Sequence, residues 1–494
     1  MNRRFAPLPL VALLLLAGVG APARGANAIP AVRAPGAEPL AAALAAEART
    51  TARAARQLGI HVRDLETGTE VLAVAADEPR ILASNTKLLT TAAALSAFGP
   101  GPLFETRLLA RGVVSGGELA GDLAVIGDGD PNISGREHDG DVYAVFRRWA
   151  QALAAHGIRR VTGELLLVNG LFPGPRIHPG WPRDQLTSWY SAPVDALTFN
   201  DNCVLVRVRP GKQPGDRARV EVQPRLGYFR ILNEATTVAT RQEARLFVGR
   251  AGERDTIVVR GTVAQGTGAS EEWVAVADPP AYFGHALAAA LAEEGIVVAG
   301  RPREVHGLPA GEWEEIARHQ SDLLPTIAVT NKKSQNLYAE LLLRTLGQRR
   351  AGEGSWEKGV QTVSEFLVGM GVSPGSFTLA DGSGLARGNR MTPRAMTQLL
   401  AAMFASPHGR EYVLSLPHSG EAGLRWERRL AEPPYRGNVF AKTGMIRGVS
   451  TLSGYAKGRS GKVYAFSILC NEIRGLAEAQ RAQDRLLRVL VDRG

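Results

Sequence analysis

NVFAKTG (438–444), GVSTLSGYAKG (448–458) and KVYAFSILCNE (462–472) are three stretches near the end of the chain that decide its fold. Each is rich in β-branched, aromatic and small residues, and glycines separate them, which predicts three consecutive strands. Near the start, IHVRDLETGTEVLAVAAD (60–77) predicts two further strands around a turn at Thr67-Gly68. We expect all five strands to form one antiparallel sheet that joins both ends of the chain in a single domain.

Helical patterns flank these strands. The first and last of them, at 39–57 and 474–491, are expected to pack on one face of the sheet. The segment SNTKLLTTAAALSAF (84–98) begins with Ser and continues with apolar residues every three or four positions, which predicts a buried helix. Further helical patterns occur at 281–295, 321–346, 356–370 and 391–405.

The middle of the chain has a different composition. Between 104 and 278, short β-rich runs such as GELLLVNG (163–170) are separated by Gly, Pro and Asp. We therefore predict a strand-rich insertion at 104–278, built as one unit or two subdomains. The main domain is then formed by residues 29–103 together with 279–494.

The first 28 residues have the composition of a secretory signal peptide: a basic start, a short apolar stretch and a small-residue ending. The apolar stretch is interrupted by Pro and Gly and is shorter than the ~20 residues that a membrane span requires. We expect cleavage near Ala28, with Ala23 as the alternative end. The mature protein is then secreted across the inner membrane and is periplasmic or extracellular.

Charge and cysteine content exclude several classes of protein. The net charge is +10, and removal of the three leader arginines lowers it to +7. Such an excess favours peripheral contact with an anionic wall or membrane surface, whereas the dispersed basic residues argue against nucleic acid. Two cysteines, Cys203 and Cys470, are too few for an iron–sulfur cluster or a multi-cysteine zinc site. Both lie in apolar runs and are expected to be buried thiols, with one disulfide as the alternative.

Three motifs follow one another in a fixed order: Ser84-Asn85-Thr86-Lys87, Ser334-Gln335-Asn336 and Lys442-Thr443-Gly444. An isolated Ser-x-x-Lys is usually a helix cap followed by a solvated lysine. Here the first motif opens an apolar helix, the second precedes another, and the third ends a strand. This combination is typical of active-serine penicillin-interacting enzymes.

The residue types explain the chemistry. A serine hydroxyl needs a base, and residues i and i+3 share one helix face, so Lys87 can lie beside Ser84. Burial and a second cation, Lys442, would lower the pKa of Lys87 enough for it to act as that base. Ser334 could relay the proton to the departing amine, and Asn336 could hold Lys87 and a substrate carbonyl. Finally, Lys442 and Thr443 would receive a carboxylate, while Gly444 lets substrate pair beside the strand.

Longer segments of sequence extend the match to such enzymes over nearly all of the mature chain: ASNTKLLTTAAAL, GDLAVIGDGDP, GWPRDQLTSWYSAP, NKKSQNLYAELLLR, DGSGLARGN and AKTGMIRGVSTLSGY. The chain resembles the class C low-molecular-mass penicillin-binding proteins, the D-Ala-D-Ala carboxypeptidase and endopeptidase family called peptidase family S13. The resemblance implies a β-lactamase/transpeptidase-like α/β fold, with an antiparallel sheet flanked by helices. It implies neither metal nor cofactor.

The resemblance also implies site residues outside the motifs. The backbone N–H groups of Ser84 and Met445 are the implied oxyanion donors, and Arg387 and Arg447 are expected to bind an acidic group of the stem peptide. Two departures from the family pattern affect which stem is accepted: Asp184 is followed by Gln185 instead of a second acid, and Arg447 replaces a shorter polar residue.

The implied function is a serine-type D-alanyl-D-alanine carboxypeptidase, also an endopeptidase, that acts on peptidoglycan peptides and is covalently inhibited by β-lactam antibiotics. The alternatives are a β-lactamase or related serine esterase, and a catalytically idle wall-binding or sensor protein. The long insertion disfavours the first alternative, and the intact motifs disfavour the second.

Other candidate motifs are weaker. Residues 371–375 fit G-x-S-x-G but follow a helix pattern and contain Pro374, so we predict a loop there. No histidine pair has zinc-ligand spacing, and the acidic run 127–131 predicts a turn, not a calcium loop. The word DGSGL (381–385) predicts either a tight glycine-rich turn or a part of the active site.

Overall fold

The computed structural model describes residues 37–251 and 255–494. The predicted signal peptide, 1–28, lies outside these residues. Within the described ranges, no helix combines the length and apolar character that a bilayer span needs.

The helices are α1 (Ala37–Thr51), α2 (Thr86–Phe98), α3 (Ala144–Ala155), α4 (Pro279–Glu293), α5 (Leu323–Lys332), α6 (Asn336–Ala351), α7 (Trp356–Gly369), α8 (Pro393–Phe404), α9 (Gly409–Ser415) and α10 (Leu476–Arg493). The strands are β1 (Ala55–Asp64), β2 (Glu70–Val74), β3 (Arg80–Ile81), β4 (Pro102–Ser115), β5 (Glu118–Ile126), β6 (Arg160–Val161), β7 (Leu165–Val168), β8 (Cys203–Arg209), β9 (Arg219–Gln223), β10 (Arg230–Asn233), β11 (Thr236–Val238), β12 (Arg245–Ala251), β13 (Thr256–Ala264), β14 (Ser270–Ala275), β15 (Val297–Val298), β16 (Pro302–Val305), β17 (Glu314–Asp322), β18 (Phe377–Thr378), β19 (Arg390–Met391), β20 (Val439–Ile446), β21 (Val449–Lys457) and β22 (Val463–Ile473).

The main sheet is antiparallel and has the strand order β2-β1-β22-β21-β20. Helices α1 and α10 pack together on one face, where Leu44, Ile468 and Leu487 belong to one buried cluster. Helix α8 packs on β1 and β22, and a second cluster includes Met396 and Leu469. The predicted five-stranded sheet, closed by both ends of the chain, is confirmed.

One helix prediction is wrong. The segment 321–346 contains the end of β17 and then two helices, α5 and α6, which the turn at 333–335 separates. Ser334 in this turn has a left-handed φ of 58°, which no residue inside a right-handed helix adopts. The break places Ser334 at a corner between two buried helices. Helices α3 and α9 were not predicted either.

The inserted region is built on a seven-stranded sheet that contains β4, β5, β6 and β7. The same sheet takes in β15, β16 and β17, so its strands continue to Asp322, beyond the predicted boundary at 278. Helices α3 and α4 pack together beside it, and Leu123, Val206 and Val259 share one buried cluster. The seven-stranded sheet and the two smaller sheets, built around β8 and β13, therefore contribute to one core.

The acidic run at 127–131 joins this region to the helices. Asp128 accepts the backbone N–H of Glu105 at 2.8 Å and pairs with Arg349 of α6. Asp130 accepts the backbone N–H of Asn132 at 2.8 Å and the hydroxyl of Ser321 at 2.7 Å. Asp128 and Oδ1 of Asp130 thus make turn and packing contacts, as the turn prediction requires, whereas the buried Oδ2 of Asp130 has no hydrogen-bond partner among the described residues.

Candidate active site

Ser84 lies on a short turn that leads from β3 into α2. Ala83, the preceding residue, is fully buried and has a left-handed φ of 47°, an uncommon conformation for a residue with a side chain. Two glycines hold this turn: a Cβ on Gly384 would lie 1.8 Å from the Ala83 carbonyl oxygen, and one on Gly444 would lie 3.0 Å from the Ser84 nitrogen. The strained turn is therefore fixed by close backbone packing.

Lys87 lies one helical turn after Ser84, and its Nζ contacts three oxygens. It lies 3.1 Å from Ser84 Oγ, 2.6 Å from Asn336 Oδ1 and 2.8 Å from the Ser383 carbonyl oxygen. Lys87 is fully buried, and burial lowers its pKa from 10.5 to about 7, although Glu340 and Asp381 oppose the change. A large fraction of Lys87 can therefore be neutral near pH 7 and accept the Ser84 proton.

Ser334 and Lys442 form a second pair. Lys442 Nζ donates to Ser334 Oγ at 2.8 Å and to the Thr443 carbonyl oxygen at 2.7 Å. Burial lowers the pKa of Lys442 well below its ordinary value, and the neighbouring cations Lys87 and Arg425 lower it further. A carboxylate entering the site would favour the charged ammonium again.

Asn336 is the first residue of α6 and links the two pairs to the inserted region. Its Oδ1 accepts from Lys87, and its Nδ2 donates to the Tyr190 carbonyl oxygen at 2.7 Å. An amide NH₂ carries two hydrogens, and the described part of the chain offers an acceptor to only one of them, so the second can donate to a ligand. The three motifs are thus brought together around Ser84.

The outer edge of β20 faces the site along half of its length. At its start, Ala441 donates its N–H to the Pro417 carbonyl oxygen, and Ser419 donates its own to the Val439 carbonyl oxygen. Backbone groups of every second residue point to the same edge of an antiparallel strand. Thr443 and Met445 consequently present their backbone groups to the same edge, where no backbone group of the described chain pairs with them; the Thr443 carbonyl oxygen accepts from Lys442 Nζ.

Gly444 packs closely against the turn that carries Ser84. A Cβ there would lie 2.2 Å from Thr451 Oγ1 and 2.6 Å from the Leu82 carbonyl oxygen. The absence of a side chain therefore lets β20 approach this turn, and the predicted space for substrate beside Gly444 stays a prediction. This approach of β20 brings the backbone just before Met445 against the Ser84 turn, since a Cβ on Gly444 would lie 3.0 Å from the Ser84 nitrogen.

A cleft of about 1,020 Å³ opens at the site. Its lining includes residues of all three motifs: Ser84, Ser334, Asn336, Lys442 and Thr443. Arg387 and Arg447 both line it, are exposed, and are joined by a hydrogen bond of 2.8 Å from Arg387 Nη1 to the Arg447 carbonyl oxygen. Asp184 and Gln185 line the same cleft from a loop of the inserted region. The departures noted in the sequence therefore lie where they can contact a ligand.

Glu340 was missed in the sequence, although a single acid in the apolar run LYAELLLR is a visible signal. It is fully buried in α6 and accepts the backbone N–H groups of Gly382 and Ser383 at 2.9 and 2.8 Å. Burial and Asp381 raise the pKa of Glu340 to about 7. Glu340 therefore holds the DGSG turn, whose Ser383 carbonyl contacts Lys87.

The DGSG word is both a tight turn and a part of the site. Asp381 accepts the backbone N–H groups of Gly384 and Ala386, each at 2.7 Å. Its carboxylate also accepts the indole N–H of Trp181, from the inserted region, at 3.0 Å, whereas the Ser383 carbonyl contacts Lys87. By contrast, Ser373 lies on an exposed loop after α7, as predicted, and Cys203 and Cys470 are buried free thiols.

Asp201, another residue that was missed, connects the inserted region to the second motif. It accepts from Gln335 Nε2 at 3.0 Å and forms an ion pair with Arg136. Asn200, Asp201 and Asn202 all have left-handed φ values, between 48° and 58°. This strained turn holds Gln335 between Ser334 and Asn336.

Known proteins share both the sequence and the fold. The chain is 34% identical over 434 residues to the D-alanyl-D-alanine carboxypeptidase of Actinomadura sp. (strain R39), which covers 85% of this chain and 78% of the relative. It is 28% identical over 394 residues to the D-alanyl-D-alanine carboxypeptidase DacB of Haemophilus influenzae. This match covers 78% of this chain and 79% of the relative.

The crystal structure of penicillin binding protein 4 from Haemophilus influenzae matches with a TM-score of 0.77 and 24% identity, over 89% of this chain and 97% of that chain. This likeness confirms the predicted fold class. The model of the D-Ala-D-Ala carboxypeptidase 3 (S13) family matches residues 40–491. Since this match spans most of the sequence, the chain belongs to the D-Ala-D-Ala carboxypeptidase 3 (S13) family, and it is a peptidase.

Proposed function

We propose that the protein is a secreted serine-type D-alanyl-D-alanine carboxypeptidase that forms an acyl-enzyme on Ser84 and also opens peptide cross-links of peptidoglycan. The observation that carries this proposal is the buried Lys87 ammonium nitrogen, 3.1 Å from Ser84 Oγ and with its pKa lowered to about 7.

In the first step neutral Lys87 takes the Ser84 proton as Oγ attacks the carbonyl carbon of the penultimate D-Ala. The N–H groups of Ser84 and Met445 stabilise the oxyanion. The C–N bond then breaks, and the departing amine takes the proton of the Ser334 hydroxyl, which Lys442 replaces through its hydrogen bond. In the second step water attacks the acyl carbon and gives a proton back to Lys442 through Ser334. Lys87 returns its proton to Ser84 Oγ as the C–O bond breaks, so that the free acid leaves and both lysines regain their starting charge.

The substrate is held by its charges and by the strand edge. Lys442 and Thr443 bind the terminal carboxylate, and the acyl part pairs with the free edge of β20 at Met445. Arg387 and Arg447, further along this wall, bind an acidic group of the stem peptide. The same steps open a cross-link, because a D-Ala carbonyl is there joined to an amine that can also carry an adjacent carboxylate.

β-Lactam antibiotics are expected to acylate the same serine. A relative, penicillin binding protein 4 of Haemophilus influenzae, has a crystal structure in complex with a β-lactam. The signal-like first 28 residues support export to the periplasm or beyond, where peptidoglycan and anionic wall or membrane surfaces are the neighbours.

The test is incubation of the mature protein with purified muropeptides and identification of the products by mass. Loss of one D-Ala from pentapeptides and conversion of cross-linked dimers to monomers are expected. Rapid hydrolysis of penicillin with no muropeptide product would instead support the β-lactamase alternative. Absence of both reactions would support the idle wall-binding protein.

A further inference from the structure

The cleft has two walls along β20, and the function proposed above places a ligand group on only one of them. The wall at the carboxyl end of the strand contains Arg387 and Arg447. The other wall lies at its amino end, where the segment 417–419 pairs with Val439 and Ala441 and covers the strand edge. Lys332, Lys333, Leu424, Arg425 and Trp426 line the cleft on this side.

The direction of the substrate follows from the site geometry. The acyl carbonyl must lie at the N–H groups of Ser84 and Met445, and the carboxylate of the leaving group lies at Lys442 and Thr443. The acyl part therefore extends toward Arg447, and the leaving group extends toward the covered end of β20. Any leaving group longer than one D-Ala must pass along the wall of Lys333 and Arg425.

The wall at the amino end of β20 carries more basic side chains than acidic partners for them. Lys332 is paired with Glu421 at 2.7 Å. Lys333 and Arg425 are exposed, and neither has a carboxylate partner among the residues that the structure describes. Lys333 Nζ lies 3.4 Å from the Gly423 carbonyl oxygen, which places it against the loop that carries Arg425. Arg425 is close enough to Lys442 for its charge to lower the Lys442 pKa.

Lys333 and Arg425 thus leave two cations without acidic partners in the described chain at one end of the cleft. Such a pair matches an anionic ligand, because an arginine and a lysine can both donate to carboxylate oxygens.

We propose that Lys333 and Arg425 form an anion subsite for the leaving group, which recognises a second carboxylate beyond the one bound by Lys442 and Thr443. A released D-Ala has one carboxylate and ends before this wall. The leaving strand of a cross-link carries further carboxylates and reaches it. The subsite therefore selects cross-linked substrates, an inference that rests on the proposed peptidase function.

The test compares two reactions in the same variants. In Arg425→Ala and Lys333→Ala, kcat/KM for cleavage of a cross-linked muropeptide dimer should fall about ten- to a hundredfold, the range for loss of a charge-assisted contact. Release of D-Ala from a pentapeptide monomer should change less than about threefold. Arg425→Lys should recover part of the dimer activity. Arg428→Ala, an exposed arginine three residues along the chain and outside the cleft lining, is the matched control and should affect neither reaction.

Equal loss in both reactions would overturn the proposal, because Arg425 would then act through the charge of Lys442. Unchanged dimer cleavage in both alanine variants would overturn it as well, as would a wild-type protein that releases D-Ala but leaves dimers intact. Failure of the underlying function is distinguishable, since the wild-type protein would then release no D-Ala from the monomer.

Discussion

Burial removes water from the ammonium group of Lys87, and neutral oxygens of the protein replace that water as its hydrogen-bond partners. Its three hydrogen-bond contacts are a hydroxyl, an amide oxygen and a carbonyl oxygen. The nearby acid Glu340 uses its oxygens on backbone N–H groups and on the Trp356 indole, so it does not pair directly with Lys87. Desolvation consequently outweighs attraction, and the lysine becomes a base.

The pH dependence of acylation should reveal this base. An amine with a pKa of about 7 is roughly one-tenth neutral at pH 6 and nine-tenths neutral at pH 8. Because the neutral form is active, the second-order rate of penicillin acylation should rise about tenfold over this interval and then level off. Stopped-flow acylation from pH 5 to 9 measures it, and a rate that falls on raising the pH would contradict the assignment.

Two conservative substitutions should separate the lysines. Lys87→Arg should slow acylation by at least about a hundredfold, because a guanidinium does not release its proton. Lys442→Arg keeps the positive charge and should cost about tenfold, mainly in KM for substrates with a free carboxylate. Kinetics on a D-Ala-D-Ala peptide measures the activity of both variants, with circular dichroism as the folding control. Equal and complete loss of activity in the two variants would show that the two lysines do not have distinct roles.

Spacing made much of the residue-scale site predictable. The i, i+3 relation of Ser84 and Lys87 and the order of the three motifs are local properties of the sequence. Glu340 and Asp201 could not be placed in the same way, because their partners are 42 and 134 positions away in the chain. Such contacts depend on how helices and turns pack, which no short motif records.

At the scale of elements, β20 and the Ser84 turn act as one unit. Their contact is tight because Gly444 and Gly384 carry no side chains. Five strands of the main sheet were predictable from alternating and β-branched residues, whereas the break between α5 and α6 was not. The sequence at 321–346 keeps a helical pattern, and the left-handed Ser334 that breaks it is fixed by tertiary contacts with Lys442.

Gly444→Ala tests this unit. A Cβ there would overlap Thr451 and the Leu82 carbonyl oxygen, so β20 must move away from Ser84. Displacement of one oxyanion donor should slow acylation about a hundredfold or more, and overpacking should cost about 1–3 kcal/mol of stability. Gly475→Ala, which lines the same cleft with open space around its Cβ, should acylate normally. Normal acylation in Gly444→Ala would refute the close-packing argument.

At the scale of the whole molecule, the inserted region is tied to the site by three sets of contacts. Asp128 pairs with Arg349 of α6 and Asn132 donates to Thr326 of α5, Tyr190 accepts from Asn336, and Asp201 accepts from Gln335. The presence of a strand-rich insertion could be predicted from composition. Its use as a support for the second motif could not, because the contacting residues are polar and scattered.

Asp201 provides the test of this support. Asp201→Ala removes the acceptor for Gln335 and the partner of Arg136, and alanine tolerates the left-handed φ of 58° poorly. Acylation should slow about tenfold, while Asp201→Asn, which tolerates this backbone and still accepts, should retain most activity. Glu272→Ala, an exposed acid of the same region, is the control. Penicillin acylation rates and melting curves distinguish a misplaced site from an unfolded one.

The central claim, that Ser84 is the nucleophile of an acyl-transfer peptidase, is tested most directly by peptide mass mapping after incubation with penicillin. We predict one covalent penicilloyl group on the peptide that contains Ser84, none on the peptide that contains Ser373, and no labelling of the Ser84→Ala variant. Labelling that survives in Ser84→Ala, or that maps to another residue in the wild-type protein, would contradict the account.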